Sequence, residues 1–228
     1  MPDKAYLTYT SKFLDSCIEK GRQKIYKKIA GLIDLNNMES ILDNGVTADQ
    51  THGHSNFFEN IYPHSEKITA VSNQDASWMT SKYKGLKFTQ CDGCATPFPD
   101  NTFDFVFSSA VLEHVGNRTQ QEKFISECIR VSKKYVLLTT PNRWYPIEFH
   151  SALPLVHWFP QKIFFWFLKL FRKAELANEN TLNLCSKGDI KKMLQKQGIR
   201  NFKIHYTYFL GLPSNLLILI EKSHKSGV

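Results

Sequence analysis

Apolar positions near the start of the chain recur at helical spacing. Leu14, Cys17, Ile18, Gly21, Ile25, Ile29, Leu32 and Ile33 make one stripe, with Lys20, Lys24, Lys27 and Lys28 on other faces. This spacing predicts an amphipathic helix over residues 11–36, ended at Asn36-Asn37. The period then shortens. Ser40–Leu42, Lys67–Val71, Leu86–Gln90, Phe103–Ser108 and Tyr135–Thr139 are short apolar runs, each closed by polar or turn-forming residues. Helical patterns stand between some of them, from about Asp75 to Tyr83 and from Thr119 to Val131. The fourth run is very apolar, as a strand buried on both faces should be. Strands alternating with helices predict a parallel sheet with right-handed crossovers.

The pattern breaks between Asn142 and Leu184, a segment crowded with Trp144, Tyr145, Pro146, Phe149, Pro154, Trp158, Phe159 and Pro160. Regularity returns at Ser186, which predicts a cap for a helix running to Gln197 and ended by Gly198. Phe202–Tyr208 and Asn215–Glu221 read as two more strands, joined through Gly211-Leu212-Pro213. So short a connection makes that pair antiparallel. The expected organisation is one domain, 1–228: an N-terminal helix (11–36), a core (38–142), an aromatic insertion (143–185), and a C-terminal helix and hairpin (186–222).

Composition changes this picture little. The 228 residues include 42% hydrophobic and 22% charged positions, an ordinary globular balance. A net charge of +8 favours acidic partners, but much of it lies in two lysine-rich stretches that read as solvated helix faces. The opening MPDKAYLTYTSKF has no apolar core of the signal-peptide kind, and no run approaches the ~18 apolar residues of a membrane span. Five cysteines, an odd number, fit reduced thiols. A cytoplasmic protein is expected.

In an open parallel sheet, ligands bind beyond the carboxyl ends of the strands. The first four predicted strands end in Asp43-Asn44-Gly45-Val46-Thr47, Ser72-Asn73, Asp92-Gly93 and Ser108-Ser109-Ala110, all small or polar. Cys91 and Cys94 have CxxC spacing, and His52-Gly53-His54 might be set against them as half a zinc site. No second CxxC exists, so no metal is expected.

The block from Asp92 to Val115, and above all PFPDNTFDFVFSSAVLEHV, resembles the middle of the small class I S-adenosylmethionine-dependent methyltransferases, the group that includes the ubiquinone and menaquinone biosynthesis enzymes. The likeness covers roughly residues 38 to 142. The segment Thr140–His150 is also similar to a subgroup of bacterial enzymes of this type. The resemblance implies a Rossmann-like sheet of seven strands, mostly parallel with an antiparallel last strand, and helices on both faces. It implies S-adenosyl-L-methionine as cofactor. Asp43, Gly45 and Val46 then hold the turn at its methionine end, with Gly45 letting backbone approach. Asp92 accepts from the adenine amino group with Gly93 beside it, and Ser108, Ser109 and Ala110 line the methionine end. Val111 to His114 open the next helix, with His114 facing the sulfonium.

Two departures stand out. The glycine-rich turn D-x-G-x-G-x-G keeps only Gly45, so Thr47 or Asp49 are expected to replace lost contacts, and Ser55 to cap the following helix. Where the family grips the ribose with an acid, Ser72 stands instead, and Asn73 or Asp75 is left to compensate. For the acceptor, His150, His114 and Glu148 are the expected bases, and Arg143 with Trp144 the expected substrate contacts. The run Ile163–Lys173 fits a lid over an apolar acceptor, a dimer contact or a peripheral membrane contact. The expected activity is methyl transfer to a small-molecule, sugar-type or lipid-linked acceptor. Nucleic acid is not favoured, since no RNA-binding module is visible. The rival readings are an RNA methyltransferase and a non-catalytic binding domain whose cleft is filled by Thr47 or Phe57.

Overall fold

The computed structural model describes residues 12–50, 55–148 and 150–222. The predicted motif His52-Gly53-His54, the opening segment and Phe149 therefore lie outside the described residues. Elements are numbered in chain order: α1 (Lys12–Leu32), β1 (Ile41–Asn44), α2 (Phe57–Ile61), β2 (Ile68–Ser72), α3 (Met79–Lys82), β3 (Lys87–Gln90), β4 (Phe103–Ser109), α4 (Arg118–Val131), β5 (Ser132–Pro141), α5 (Gln161–Leu170), α6 (Lys187–Lys196), β6 (Phe202–Phe209) and β7 (Leu212–Glu221).

The seven strands form one sheet in the order β3-β2-β1-β4-β5-β7-β6. The pairs among β1 to β5 are parallel, and β7 runs antiparallel to both β5 and β6. This is the expected Rossmann-like sheet with its antiparallel last strand. Both faces are covered. One cluster joins Ile25 and Ile29 of α1, with Ile33 just beyond it, to Phe57 and Phe58 of α2 and to Ile41, Phe105 and Phe107 of the sheet. The other joins Phe124, Ile125 and Cys128 of α4 and Ile190 and Leu194 of α6 to Leu42, Val106, Val136 and Ile218. Alternate residues of β1 and β4 feed opposite clusters, so β4 is buried nearly end to end, as its very apolar run predicts.

Local chemistry moved several predicted boundaries. The helix expected from Asp75 to Tyr83 shrinks to α3, because Ser72 Oγ accepts from Gln74 N and Asp75 Oδ1 accepts from Ser77 N, tying the backbone into turns first. Val111 to His114 do not open α4. Leu112–His114 form a single 3-10 turn, Gly116 takes φ +111°, and Asn117 starts the helix by accepting from Gln120 N. The first helix ends at Leu32 rather than Asn36, where Asp34 caps a separate 3-10 turn. Ser186 caps α6 as predicted, in a reciprocal capping box with Asp189. The final hairpin turns at Leu210-Gly211, both at positive φ, so Leu212 and Pro213 belong to β7.

Candidate active site

Strand order reverses between β1 and β4, so their carboxyl ends open the crevice in which such a sheet binds ligands. At the end of β1, Gly45 N and Val46 N both donate to Val71 O, at 2.8 and 3.0 Å. Gly45 sits at φ +108°, and a Cβ there would lie 2.3 Å from Cγ2 of Val111. Both the left-handed φ and the nearness of Val111 require glycine here, alongside the expected approach of backbone to a ligand. Thr47 also has a local task. Its N–H donates to Asn56 Oδ1 and its carbonyl accepts from Asn56 Nδ2, both at 3.0 Å, while its hydroxyl accepts from Asp49 N. Asn56, not Ser55, is the residue before α2, and its amide clamps the loop instead of capping the helix. Phe57 does not fill the crevice either: it packs edge-on against Phe107 within the core.

Asp43 is buried, and so is Glu59 of α2. Burial, then the neighbouring Glu59 carboxylate, holds the Asp43 carboxyl well above its ordinary range; burial also raises Glu59. Among the described residues neither Glu59 side-chain oxygen has a hydrogen-bond partner, so this buried acid disfavours ionisation of Asp43 beside it. No periodicity marked Glu59, which stands among the apolar residues of FFENI.

Ser72 is buried at the end of β2, and Asn73 beside it is exposed, its carbonyl accepting from Gln90 Nε2. Asp92 is exposed after β3, with Oδ1 accepting from Cys94 N at 2.8 Å. Gly93 is packed: a Cβ would lie 2.5 Å from Asn44 Oδ1, and its carbonyl accepts from Asn44 Nδ2 at 3.0 Å. Asn44 thus ties the ends of β1 and β3 together. Burial raises the thiols of Cys91 and Cys94, the latter to about 11.

The ends of β4 and β5 are built differently. Ser109 Oγ and Thr139 Oγ1 lie 2.9 Å apart, and Ala110 N donates to Thr139 O with Ala110 in the left-handed region at φ +56°. The 3-10 turn after β4 then delivers Glu113 and His114. The structure brings the three predicted bases into one chain: Glu148 Oε1 to His150 Nδ1 at 2.7 Å, and His150 Nε2 to His114 Nε2 at 3.0 Å. His114 Nδ1 donates to Thr181 O at 2.7 Å. Burial raises the Glu148 carboxyl, but hydrogen bonds and charge from His150 and the N–H of Ser151 outweigh it and hold it at about 2. Glu113, which the sequence reading passed over, is fully buried beside them. Its Oε2 accepts from Thr140 Oγ1 at 2.9 Å. The signal for it was a charged residue inside the otherwise apolar VLEHV.

Arg143 and Trp144 sit at the mouth of the insertion. Arg143 donates to Phe159 O and stacks near the Trp144 ring, which braces the insertion. Trp144 is 54% exposed. The run around α5 buries Phe164 and Leu168 against Leu176, Leu182 and Leu184, and leaves Ile163, Trp166, Leu170 and Phe171 exposed. Among the described residues no helix is long and apolar enough to cross a membrane. A cavity of about 360 Å³ lies between α2 and α3, lined by Asn56, Asn60, Trp78 and Lys82 and by none of the strand-end residues.

Residues 53–138 match the family described as "Methyltransferase domain", a stretch that begins after β1 and its altered turn. A demethylmenaquinone methyltransferase of Staphylococcus aureus is 26% identical over 152 residues, covering 65% of this chain and 61% of its own length. The chain therefore spans about three fifths of the length of the curated relatives it matches. Among solved structures, the magnesium protoporphyrin IX methyltransferase of Synechocystis, determined with bound SAH, superposes at TM-score 0.60 over 96% of this chain and 92% of its own, with 14% identity. The Burkholderia thailandensis 1,6-didemethyltoxoflavin-N1-methyltransferase, with bound substrate and S-adenosylhomocysteine, superposes at 0.58 over 92% and 79%, with 9% identity. At such identities the likeness is one of fold.

Proposed function

We propose that this chain, a class I S-adenosylmethionine-dependent methyltransferase by its family match and its sheet, transfers a methyl group to a small-molecule acceptor of sugar or lipid-linked type. One observation carries the reading: the acid–imidazole cluster is carried by the segments that follow β4 and β5, at the same end of the sheet as the β1/β4 crevice where such a fold binds ligands.

The residues at the crevice fit S-adenosylmethionine. Its ends carry an ammonium and an adenine amine, both donors. Buried Asp43 and its neighbour Glu59 offer acceptor oxygens, and Asp92 offers an exposed carboxylate after β3. Ser72 is the weak point, since one hydroxyl replaces a two-pronged acidic grip on the ribose; the loss is about 1–2 kcal/mol. When bound, the cofactor supplies a methyl group on cationic sulfur, open to in-line displacement. The protein's part is then alignment, which is worth up to ~7–11 kcal/mol. Ser109 and Ala110 shape the methionine end. His114 and His150 activate the acceptor, and Glu148 orients His150. The exposed aromatics of α5 and Trp144 suit an acceptor with an apolar portion.

Calorimetric titration with S-adenosylmethionine and S-adenosylhomocysteine tests this. Micromolar binding that weakens at least tenfold in Asp92→Ala is the expected result. No binding at millimolar cofactor would sink the proposal.

A further inference from the structure

The two histidines of the cluster face each other with the wrong atoms for a simple hydrogen bond. Thr181 O can only accept, so His114 Nδ1 carries its proton. Glu148 already accepts the backbone N–H groups of His150 and Ser151, and its Oε1 lies 2.7 Å from His150 Nδ1, so that nitrogen also donates. Both Nε2 atoms are then lone pairs, and they stand 3.0 Å apart with the rings at 82°. Two lone pairs at that distance repel unless a cation lies with them. The third group decides which cation. Glu113 Oε1 is buried and has no hydrogen-bond partner, although Oε2 is held by Thr140. A proton shared between the nitrogens leaves that oxygen unpaired; a metal ion satisfies all three atoms.

We propose that His114 Nε2, His150 Nε2 and Glu113 Oε1 form a binding site for one divalent transition-metal cation of the zinc type. One ligand atom of each of Glu113, His114 and His150 lies within 4.8 Å of the other two. Two imidazoles and a carboxylate are a common set for such an ion, with a fourth position open to water or an acceptor oxygen. The supports are those a bound metal needs: each imidazole gives its other N–H to a carbonyl or carboxylate, and the carboxylate is fixed by a hydroxyl. The bland alternative, a buried imidazole pair bridged by a proton, accounts for the nitrogens alone. Sequence gave no sign of the site, because its ligands come from turns after two different strands. The ion's role as Lewis acid toward an acceptor hydroxyl rests on the methyl-transfer reading. Its binding does not.

The test uses the full chain without a histidine tag, stripped with a chelator and titrated with Zn²⁺ and with Co²⁺. One equivalent of tight binding is expected, with Co²⁺ absorption of tetrahedral type. Affinity should fall at least a hundredfold in His114→Ala and in Glu113→Gln, and ten- to a hundredfold in Glu148→Gln. Histidine NMR of the unaltered chain gives a readout that needs no variant: Zn²⁺ should shift both Nε2 signals while both Nδ1–H signals persist. Metal binding that survives in His114→Ala is adventitious and overturns the site. So does an unaltered chain that binds no metal and shows one proton between the imidazoles. Cofactor titration on the same sample separates the two readings, since either ligand can bind where the other fails.

Discussion

The two halves of the crevice are held by different means. On the β1–β3 side the strand ends are occupied by their own packing: Gly45 against Val111, Gly93 against Asn44, and Thr47 in the Asn56 clamp. Charge there includes the buried Asp43–Glu59 pair and the exposed Asp92. On the β4–β5 side, Glu148, His150 and His114 form a part-buried hydrogen-bonded chain ending on the Thr181 carbonyl, with the buried Glu113 held by Thr140 next to it. The difference fits the proposed function, in which the first half holds the cofactor and the second activates the acceptor. Backbone geometry and a few carboxylates suffice to hold a cofactor, whereas a reacting group must be fixed in protonation and direction.

Substitutions that separate binding from action test this division. The largest effect is expected from His150→Ala, which should cut methyl transfer by about 10²–10⁴-fold while cofactor affinity, read by calorimetry, stays within about threefold. An equal loss of both would erase the distinction. Gly45→Ala comes next. Its Cβ meets Val111 and its φ disfavours any side chain, so thermal unfolding should show a loss of about 2–4 kcal/mol. Val111→Ala should recover part of it in a double-mutant cycle; no recovery would mean that the glycine answers to something else in the crevice. Asp92→Ala should then cost about 1.4–2 kcal/mol of cofactor affinity, at least tenfold, and leave the turnover of the saturated enzyme nearly unchanged.

The smallest effect concerns Glu59→Gln. Burial raises both members of the Asp43–Glu59 pair, so the folded chain holds more protons than the unfolded one at pH values above the ordinary carboxylate range. That stability is fully present at low pH and is lost as pH rises through the raised values. An amide at position 59 donates to Asp43 at every pH. The variant should therefore be more stable than the parent by about 1 kcal/mol at neutral pH, with the gain shrinking as pH falls toward about 4. Its cofactor binding should weaken. A stability gain that grew in acid would show that burial does not raise the pair.

Much of the first half was legible in the chain. Apolar runs located all seven strands to within a few residues, and PFPDNTFDFVFSSAVLEHV carried the resemblance that the match over residues 53–138 repeats. Asp43 and Asp92 were picked out by standing at strand ends. Less was legible where short polar side chains compete for backbone, as in the turns that shortened α3. His114, Glu148 and His150 could be chosen singly as bases, but nothing in their spacing showed that they touch.

By itself, then, the sequence determined the strand and helix order, the antiparallel hairpin, the capped α6 and the strand-end acids. These depend on neighbours two to four residues apart, which periodicity and capping chemistry report directly. Only the tertiary structure decided that Val111 closes over Gly45, that Asp43 meets Glu59, and that Glu113, His114 and His150 share one buried point. Those meetings join residues carried by separate strands, and side-chain direction at the end of a strand is set by the sheet that forms, not by the residues beside it.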